Sequence, residues 1–449
     1  MSHQAYSQCF LAAILFLMVT MLPAAGMADT FHIDNFISPE VCSGCHGDIF
    51  AQWENSMHNL AHEDGAYVAI AGFLRNGLKN PDEIEEAESC VKCHTPVGYV
   101  TGYPKQFSDN REKVPDIARQ GIQCDYCHSA TGTKKMYNNG LILAPGQGED
   151  DPGIKYGPFD DAEPDFHDAE FSKFHTESGI CGTCHNVKHV VFGTDLETTY
   201  DEWAASPYNT GDPKTHVNCQ GCHMYQRPDV PATGATKRPL NPGPASDYTE
   251  DREHIFTHYF VGANQMIPGM AGDEEKITMA RQRLEHAASL SIDAAGAEKG
   301  ILKISVTNTG AGHSIPTGVT DLRQVWLEVR VKNAEGNELF SSGVLDSKGY
   351  LGADAVVYKT VYGDEGGKPT SNINKARSIL KDYRIKAGQT VTETYKVPGI
   401  AGSGKAGKGT VVEAKLMYRS LSHKLLDMIP DGAAFKAGAV TMAHAKTVL

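Results

Sequence analysis

The chain has 449 residues, which allows two or three domains. Its formal net charge of −14 at pH 7 argues against nucleic acid as a ligand, because that binding needs clustered Lys and Arg. After the amino-terminal segment, no stretch is both apolar enough and long enough to span a membrane, so we expect the mature protein to be soluble.

The amino terminus has the layout of an export signal. Residues 10–25, FLAAILFLMVTMLPAA, carry no charged side chain, and small residues follow them. This predicts a secretory signal peptide over residues 1–28, cleaved after Gly26 or Ala28, and a periplasmic or extracellular location. No Lys or Arg precedes the apolar run, so an uncleaved membrane anchor is the alternative, although the run is short for a span.

Every cysteine after Cys9 falls in one repeated pattern, C-x-x-C-H. The five copies are Cys42–Cys45–His46, Cys90–Cys93–His94, Cys124–Cys127–His128, Cys181–Cys184–His185 and Cys219–Cys222–His223. Two thiols three residues apart lie on one side of a helical turn, so both can form thioethers to the vinyl groups of one haem. The histidine that follows can then bind the iron as the proximal ligand. The pattern therefore predicts five covalently bound haem c groups.

Two other uses of these cysteines fit less well. Zinc sites combine two C-x-x-C pairs, so five pairs would leave one over, and zinc does not need a histidine after each pair. Redox-active disulfides within C-x-x-C motifs occur in a few proteins, but five in one chain would be unusual.

Each haem iron has a second axial position, which another histidine can fill. Nine further histidines lie in the region that could hold haems: His58, His62, His167, His175, His189, His216, His254, His258 and His313. His58 lies in DIFAQWENSMHNLAH, where an amphipathic helix would project it toward a haem, and His62 is one turn later. Methionine could replace histidine as a ligand, but packing is the more common use of methionine.

The chain changes in texture near residue 288. Residues 29–287 carry all five motifs and form a loop-rich, mainly helical region whose core we expect the haems to supply. A helix is predicted from Asp273 to Ser289. Residues 288–449 contain short alternating β-branched runs, which predict an antiparallel β-sandwich domain. The fold class is therefore α+β with two domains, and His313 lies in a loop of the second one that could reach a haem.

With these residues in view, the chain resembles the multihaem cytochromes related to the cytochrome c-554 family, in the wider group of pentahaem nitrite reductase and hydroxylamine oxidoreductase. The stretches that carry the resemblance include VCSGCHGDIFAQWENSMHNLA, QGIQCDYCHSATG, LETTYDEWAASPY, HYFVGAN and GHSIPTG. The resemblance implies a set of distal iron ligands, namely His58, His167, His175, His258 and His313. All five motifs end in His here, whereas the catalytic haem of pentahaem nitrite reductases is bound through a motif ending in Lys.

The leading hypothesis is an exported electron carrier of anaerobic respiration, with bis-histidine haems and no catalytic residues. Its redox partners would be a quinol-oxidising complex, another cytochrome or a terminal reductase, with a basic docking patch to complement the acidic chain. One alternative is a reductase of a small nitrogen or sulfur oxyanion, which needs one haem with an open site. Another is a subunit of an extracellular cytochrome polymer. A five-coordinate haem would distinguish the enzyme from the carrier.

Overall fold

The structure is a computed structural model that describes residues 31–401 and 408–449. The predicted signal peptide lies outside the described residues. Within them, no helix has the length and apolar character needed to cross a membrane.

The first region consists of short helices joined by loops. Most of them span one or two turns, as expected where C-x-x-C-H motifs, proline and glycine interrupt the chain. The helices of this region are α1 (Pro39–Cys42), α2 (Gly47–Trp53), α3 (Gly65–Arg75), α4 (Pro81–Glu88), α5 (Val91–His94), α6 (Pro96–Thr101), α7 (Asp116–Arg119), α8 (Cys124–His128), α9 (Gly179–Gly182), α10 (Thr199–Ala204), α11 (Gln220–His223), α12 (Met266–Met270) and α13 (Glu274–Glu285).

Two helix predictions can be compared with these bounds. The predicted helix from Asp273 is confirmed as α13, whose N-cap carboxylate accepts from the Lys276 backbone N–H. It ends at Glu285, earlier than predicted, because the first strand of the next sheet begins at Ala288. The helix predicted to carry His58 ends earlier too, since Asn55 takes a left-handed conformation with φ of 58°.

Small two-stranded sheets connect the helices of the first region. They form from β1 (Ala130–Thr133) with β2 (Leu141–Leu143), β3 (Ile154–Gly157) with β4 (Asp168–Phe171), β5 (Val187–Lys188) with β6 (Asp195–Glu197), and β7 (Gly243–Pro244) with β8 (Asp251–Arg252). Only the β3–β4 pair is parallel.

The second region is built from longer strands. They are β9 (Ala288–Asp293), β10 (Ile301–Asn308), β11 (Gln324–Lys332), β12 (Glu338–Ser342), β13 (Val357–Tyr358), β14 (Thr360–Gly363), β15 (Pro369–Thr370), β16 (Ser378–Asp382), β17 (Thr390–Lys396), β18 (Val411–Arg419) and β19 (Val440–Val448), with α14 (Pro398–Ala401) and α15 (His423–Leu426) between them. Three antiparallel sheets result, with strand orders β17-β10-β9, β12-β11-β18-β19 and β15-β14-β16, and β13 pairs with β11.

Side chains from the first two of these sheets share one hydrophobic core. Leu302 and Ile304 of β10 and Leu327 and Val329 of β11 are fully buried, as is Leu416 of β18. Along β10 the buried positions alternate with partly exposed ones, which is the pattern that the sequence predicted. The prediction of an α+β chain is confirmed, whereas the sandwich and the separate second domain stay predictions.

The second region also reaches into the first. The Tyr362 hydroxyl donates to the Leu196 carbonyl at 2.7 Å. A buried ion pair joins Arg384 to Glu202 on α10. The same Glu202 carboxylate accepts from the Ser314 backbone N–H at 2.9 Å, so it holds the loop that carries His313.

Candidate haem site

The ten motif cysteines and all five motif histidines line one cavity of about 1770 Å³. All five histidines that the resemblance implied as distal ligands line it as well: His58, His167, His175, His258 and His313. Of the other four candidates, none lines the cavity. A space of this size, lined by cysteines and imidazoles on every side, fits several covalently attached haems.

Each motif forms the helical turn that haem attachment requires. In the first motif, the His46 backbone N–H donates to the Cys42 carbonyl at 2.9 Å, and the second, fourth and fifth motifs repeat this bond from the histidine to the first cysteine. In the third motif, the same residues form α8. The turn brings the two thiols of a motif to one side, with the histidine next to them.

Four pairs of imidazoles face each other across the cavity. Each pair joins one motif histidine to one implied distal histidine, with ring centroids 6.2–6.5 Å apart. The pairs are His46 with His167 at 6.5 Å, His128 with His258 at 6.4 Å, His185 with His58 at 6.2 Å and His223 with His313 at 6.5 Å.

This spacing suits an iron between the rings. An imidazole nitrogen lies roughly 2 Å from a first-row metal ion and about 1 Å from its own ring centre, so two trans imidazoles place their centroids roughly 6 Å apart. The four observed separations agree with that value. The planes of the paired rings differ by only 18–31°.

Hydrogen bonds orient most of these rings through Nδ1. The motif histidines donate from Nδ1 to backbone carbonyls in four of five cases: His46 to Ala245 at 2.8 Å, His94 to Ala61 at 3.1 Å, His128 to Tyr156 at 2.7 Å and His223 to Val261 at 3.1 Å. Among the distal candidates, His167, His258 and His313 also donate to backbone carbonyls. Such bonds fix the tautomer and leave Nε2 for the metal.

His185 differs from the other motif histidines. Its Nδ1 lies 3.4 Å from the Glu197 carboxylate oxygen Oε1. Burial of His185 acts to lower its pKa, but the hydrogen bond and the charge of Glu197 outweigh burial and raise the pKa to about 9. Nothing in the sequence singled out Glu197, because only the fold brings it back to the motif.

Burial keeps the distal candidates in the form that binds metal. It lowers the pKa of His58 and of His258 to about 3, helped by nearby histidines. Both rings are therefore neutral at physiological pH, and a neutral imidazole is the form that ligates iron.

His175 takes a different position from the four paired histidines. Its ring lies 5.6 Å from that of His128, which already faces His258. Its Nε2 bonds to the Cys127 carbonyl at 2.9 Å. That bond occupies the nitrogen that the paired histidines leave for iron, so the geometry favours His258 as the partner of His128. The expectation of a fifth pair that uses His175 finds no support in this placement.

His94 consequently has a different environment from the other motif histidines. Among the described residues, the ring that packs on it is Tyr67, with centroids 3.8 Å apart and planes within 6°. The Tyr67 hydroxyl is buried in the cavity and makes no hydrogen bond within the described residues. His62 is buried outside the cavity, where its Nδ1 contacts the Thr95 hydroxyl at 2.6 Å.

The three remaining histidines have structural contacts elsewhere. His189 Nε2 bonds to the Asn374 carbonyl, His216 Nδ1 bonds to the Thr210 carbonyl, and His254 Nδ1 accepts from the Asn241 backbone N–H.

Contacts between motifs show which motifs are neighbours in space. The sequence alone could not predict this arrangement. The Cys42 thiol neighbours that of Cys124, which places the first and third motifs together. The fourth motif neighbours two others, since Cys184 lies beside Cys93 and Cys181 lies beside Cys219.

An aromatic side chain links the third and fourth sites. Phe260 packs 4.3 Å from the His58 ring and 5.4 Å from the His258 ring, measured between centroids. Its φ of 47° is unusual for a bulky residue, so the surrounding packing must hold it there. The fourth site therefore touches the second, third and fifth sites and forms the junction of the array.

Comparisons with known proteins agree with this description. The family model described as cytochrome c554 and c-prime matches residues 41–129. A solved penta-heme cytochrome c552 from Thermochromatium tepidum superimposes with a TM-score of 0.60 at 18% identity, over 93% of this chain and 100% of that chain. At this identity the likeness shows the fold. A comparison with curated proteins finds no match.

The five motifs, the cavity that they line and the family match over residues 41–129 support a c-type cytochrome with covalently bound haem and a role in electron transfer. Residues 41–129 are thus similar to the cytochrome c554 family, and the fold of the chain is similar to that of a penta-heme cytochrome.

Proposed function

We propose that the chain is an exported five-haem electron carrier in which at least four irons have two histidine ligands. The observation that supports this most strongly is the set of four facing imidazole pairs at 6.2–6.5 Å. Each motif would hold one haem through two thioethers and one imidazole. When bound, haem supplies a one-electron iron couple between Fe(III) and Fe(II).

The residues suit electron transfer in two ways. Two fixed imidazoles keep the coordination the same in both oxidation states, so little rearrangement accompanies a change of charge. Two nitrogen donors also favour Fe(III), which gives low potentials compared with His/Met ligation. Low potentials suit anaerobic respiration, and the acidic chain suits a redox partner with a basic docking surface.

Ligand variants test this assignment with a control four residues away. In the purified holoprotein, we expect His258→Ala to remove one low-spin signal from the electron paramagnetic resonance spectrum and to create a carbon monoxide-binding haem after reduction. His254→Ala should leave both measurements unchanged, because His254 lies outside the cavity. If His258→Ala changed neither signal, the pairing would be wrong.

A second candidate function rests on the site at His94. That ring packs against Tyr67 instead of facing a histidine, and the Tyr67 hydroxyl is left without a partner among the described residues. An iron there with an open position could bind a small nitrogen or sulfur oxyanion, with the hydroxyl near enough to the cavity to donate a proton or a hydrogen bond.

Carbon monoxide distinguishes the two functions. If the unaltered reduced protein takes up no carbon monoxide, every iron has two protein ligands and the reductase is excluded. A reductase requires one high-spin iron that takes it up, together with turnover of nitrite, hydroxylamine or tetrathionate by the reduced protein. An open iron without turnover of any of these would leave the carrier function in place.

A further inference from the structure

One motif histidine has a charged hydrogen-bond acceptor where the other four have neutral ones. His46, His94, His128 and His223 donate to backbone carbonyls. His185 is directed at the Glu197 carboxylate instead, with Nδ1 and Oε1 3.4 Å apart. The five sites are otherwise built from the same motif, so this contact is a local chemical difference between them.

The fold holds Glu197 in place through a short hairpin. After the fourth motif, β5 and β6 pair antiparallel, with Val187 opposite Glu197. Next to Glu197, the Leu196 carbonyl accepts from the Tyr362 hydroxyl of the second region at 2.7 Å. The Thr199 hydroxyl donates to the same Oε1 at 3.3 Å.

The position of Glu197 argues for more than surface solvation. Its side chain is only 19% exposed, so its charge is weakly screened by solvent. The charged groups that act on it are His185 and Arg323. Arg323 donates its hydrogen bond to the Thr317 carbonyl and not to Glu197. Of the two charged groups, His185 is therefore the one that hydrogen-bonds to Glu197.

A carboxylate acceptor changes the ligand that it contacts. It draws the Nδ1 proton toward itself and makes the imidazole a stronger electron donor, whereas a carbonyl does so much less. Stronger donation, together with a nearby negative charge, stabilises Fe(III) more than Fe(II). Second-shell hydrogen bonding of this kind is one of the means by which a protein sets a haem potential.

Resting on the proposed histidine ligation, we propose that Glu197 is a positioning residue that lowers the reduction potential of the iron held by His185 and His58. This fourth site neighbours the second, third and fifth sites. An electron that moves from one of those three sites to another would therefore pass through it. With haem bound, Glu197 would hold the Nδ1 proton of His185 in both oxidation states, and the haem would exchange one electron at a time with the neighbouring haems. With a low potential at the fourth site, an electron would spend little time there and would reside mainly on the second, third or fifth site.

The test is a potentiometric titration of the holoprotein followed by electron paramagnetic resonance. The signal of this site is assigned as the one that His58→Met removes. In the unaltered protein, we expect it to be the last of the four bis-histidine signals to disappear as the potential falls. Glu197→Gln keeps the shape but removes the charge, and should ease reduction of this iron roughly tenfold, which is about 59 mV for one electron.

Glu335→Gln is the matched control, because Glu335 is exposed on the turn between β11 and β12 and does not line the cavity. It should leave every potential unchanged. An equal shift of all signals in Glu197→Gln, or none, would overturn the inference. If Glu197→Gln failed to accumulate, the order of reduction in the unaltered protein would still decide it. Loss of the proposed function would look different, since no low-spin signal would then respond to His58→Met.

Discussion

The two regions of the chain fill their interiors in different ways. Residues 288–449 bury strand side chains such as Leu302, Leu327 and Leu416 in one continuous apolar core. In residues 31–287, a cavity of about 1770 Å³ lies between the motifs, and a nearby apolar cluster has only five buried residues. The difference shows that one region of a chain can form its core from its own side chains, while another region is built around space for a cofactor.

The largest expected effect follows from withholding haem. Protein made without haem attachment should lose the fold of residues 31–287, because the cavity would have to collapse or fill with water. Limited proteolysis with mass spectrometry should then show a protected fragment that contains β9–β19. Complete digestion of the whole chain would mean that the second region depends on the first, and the comparison would fail.

The second largest effect should come from removing the buried ion pair between the two regions. Arg384→Met leaves Glu202 buried without its partner, which costs about 3–5 kcal/mol in comparable cases. Because Glu202 also holds the Ser314 backbone, the low-spin signal of the His223–His313 iron should shift. Denaturant unfolding and electron paramagnetic resonance measure the two effects.

A matched arginine on the second region serves as the control for that prediction. Arg330 pairs with Glu328 and Glu338 on the sheet surface, so Arg330→Met should cost no more than about 1 kcal/mol and leave the haem signals alone. Equal losses in the two variants would show that the buried pair has no special role.

A core truncation should affect one region only. Leu327→Ala removes a fully buried side chain of β11 and should lower the free energy of unfolding by about 2–5 kcal/mol. The haem spectra should not change, since Leu327 does not line the cavity. Leu380→Ala, at a side chain that is 45% exposed, should stay within about 0.5 kcal/mol of the unaltered protein.

The smallest expected effect depends on pH, and it raises the free energy of unfolding where the preceding substitutions lower it. Burial raises the pKa of Glu86, which lines the cavity, to about 7 from an ordinary 4.5. Folding therefore takes up a proton between those values, and the contribution of Glu86 to stability is lost as the pH rises through 7. Glu86→Gln should stabilise the protein by about 1–2 kcal/mol at pH 8 and by less at pH 5. Thermal unfolding at the two pH values tests this, and an equal effect at both would contradict it.

Much of the β region was readable from its residues, and the exceptions have physical reasons. Alternating β-branched runs identified β9, β10, β11, β12, β17 and β18, because each has one face buried. The strand Val440–Val448 escaped notice, since its alanines and His444 give weak alternation and its place depends on pairing with β18. The third sheet escaped notice as well, for β16 is exposed along its whole length.

In the candidate haem site, too, some features could be predicted from the sequence and others could not. Attachment is local, because two thiols and an imidazole within five residues need only one helical turn, and so the sequence alone predicted ten cysteines and five proximal histidines. The candidate second ligands come from elements far from their motifs in the chain, and four of the five motif histidines face one. Which histidine faces which motif was decided by the tertiary structure, as it was for His175, which lies beside His128 with its Nε2 already bonded.

The sequence by itself thus predicted covalent haem attachment and the residues that would provide it, and it determined that strands follow the region with the motifs. Covalent spacing and strand periodicity are properties of short segments, which no distant contact needs to complete. Only the tertiary structure decided the pairing of His58 with His185, the contact of Glu197 with that same imidazole, and the junction position of the fourth site. These depend on loops whose paths are set by packing around the cavity, and packing joins residues that the sequence keeps far apart.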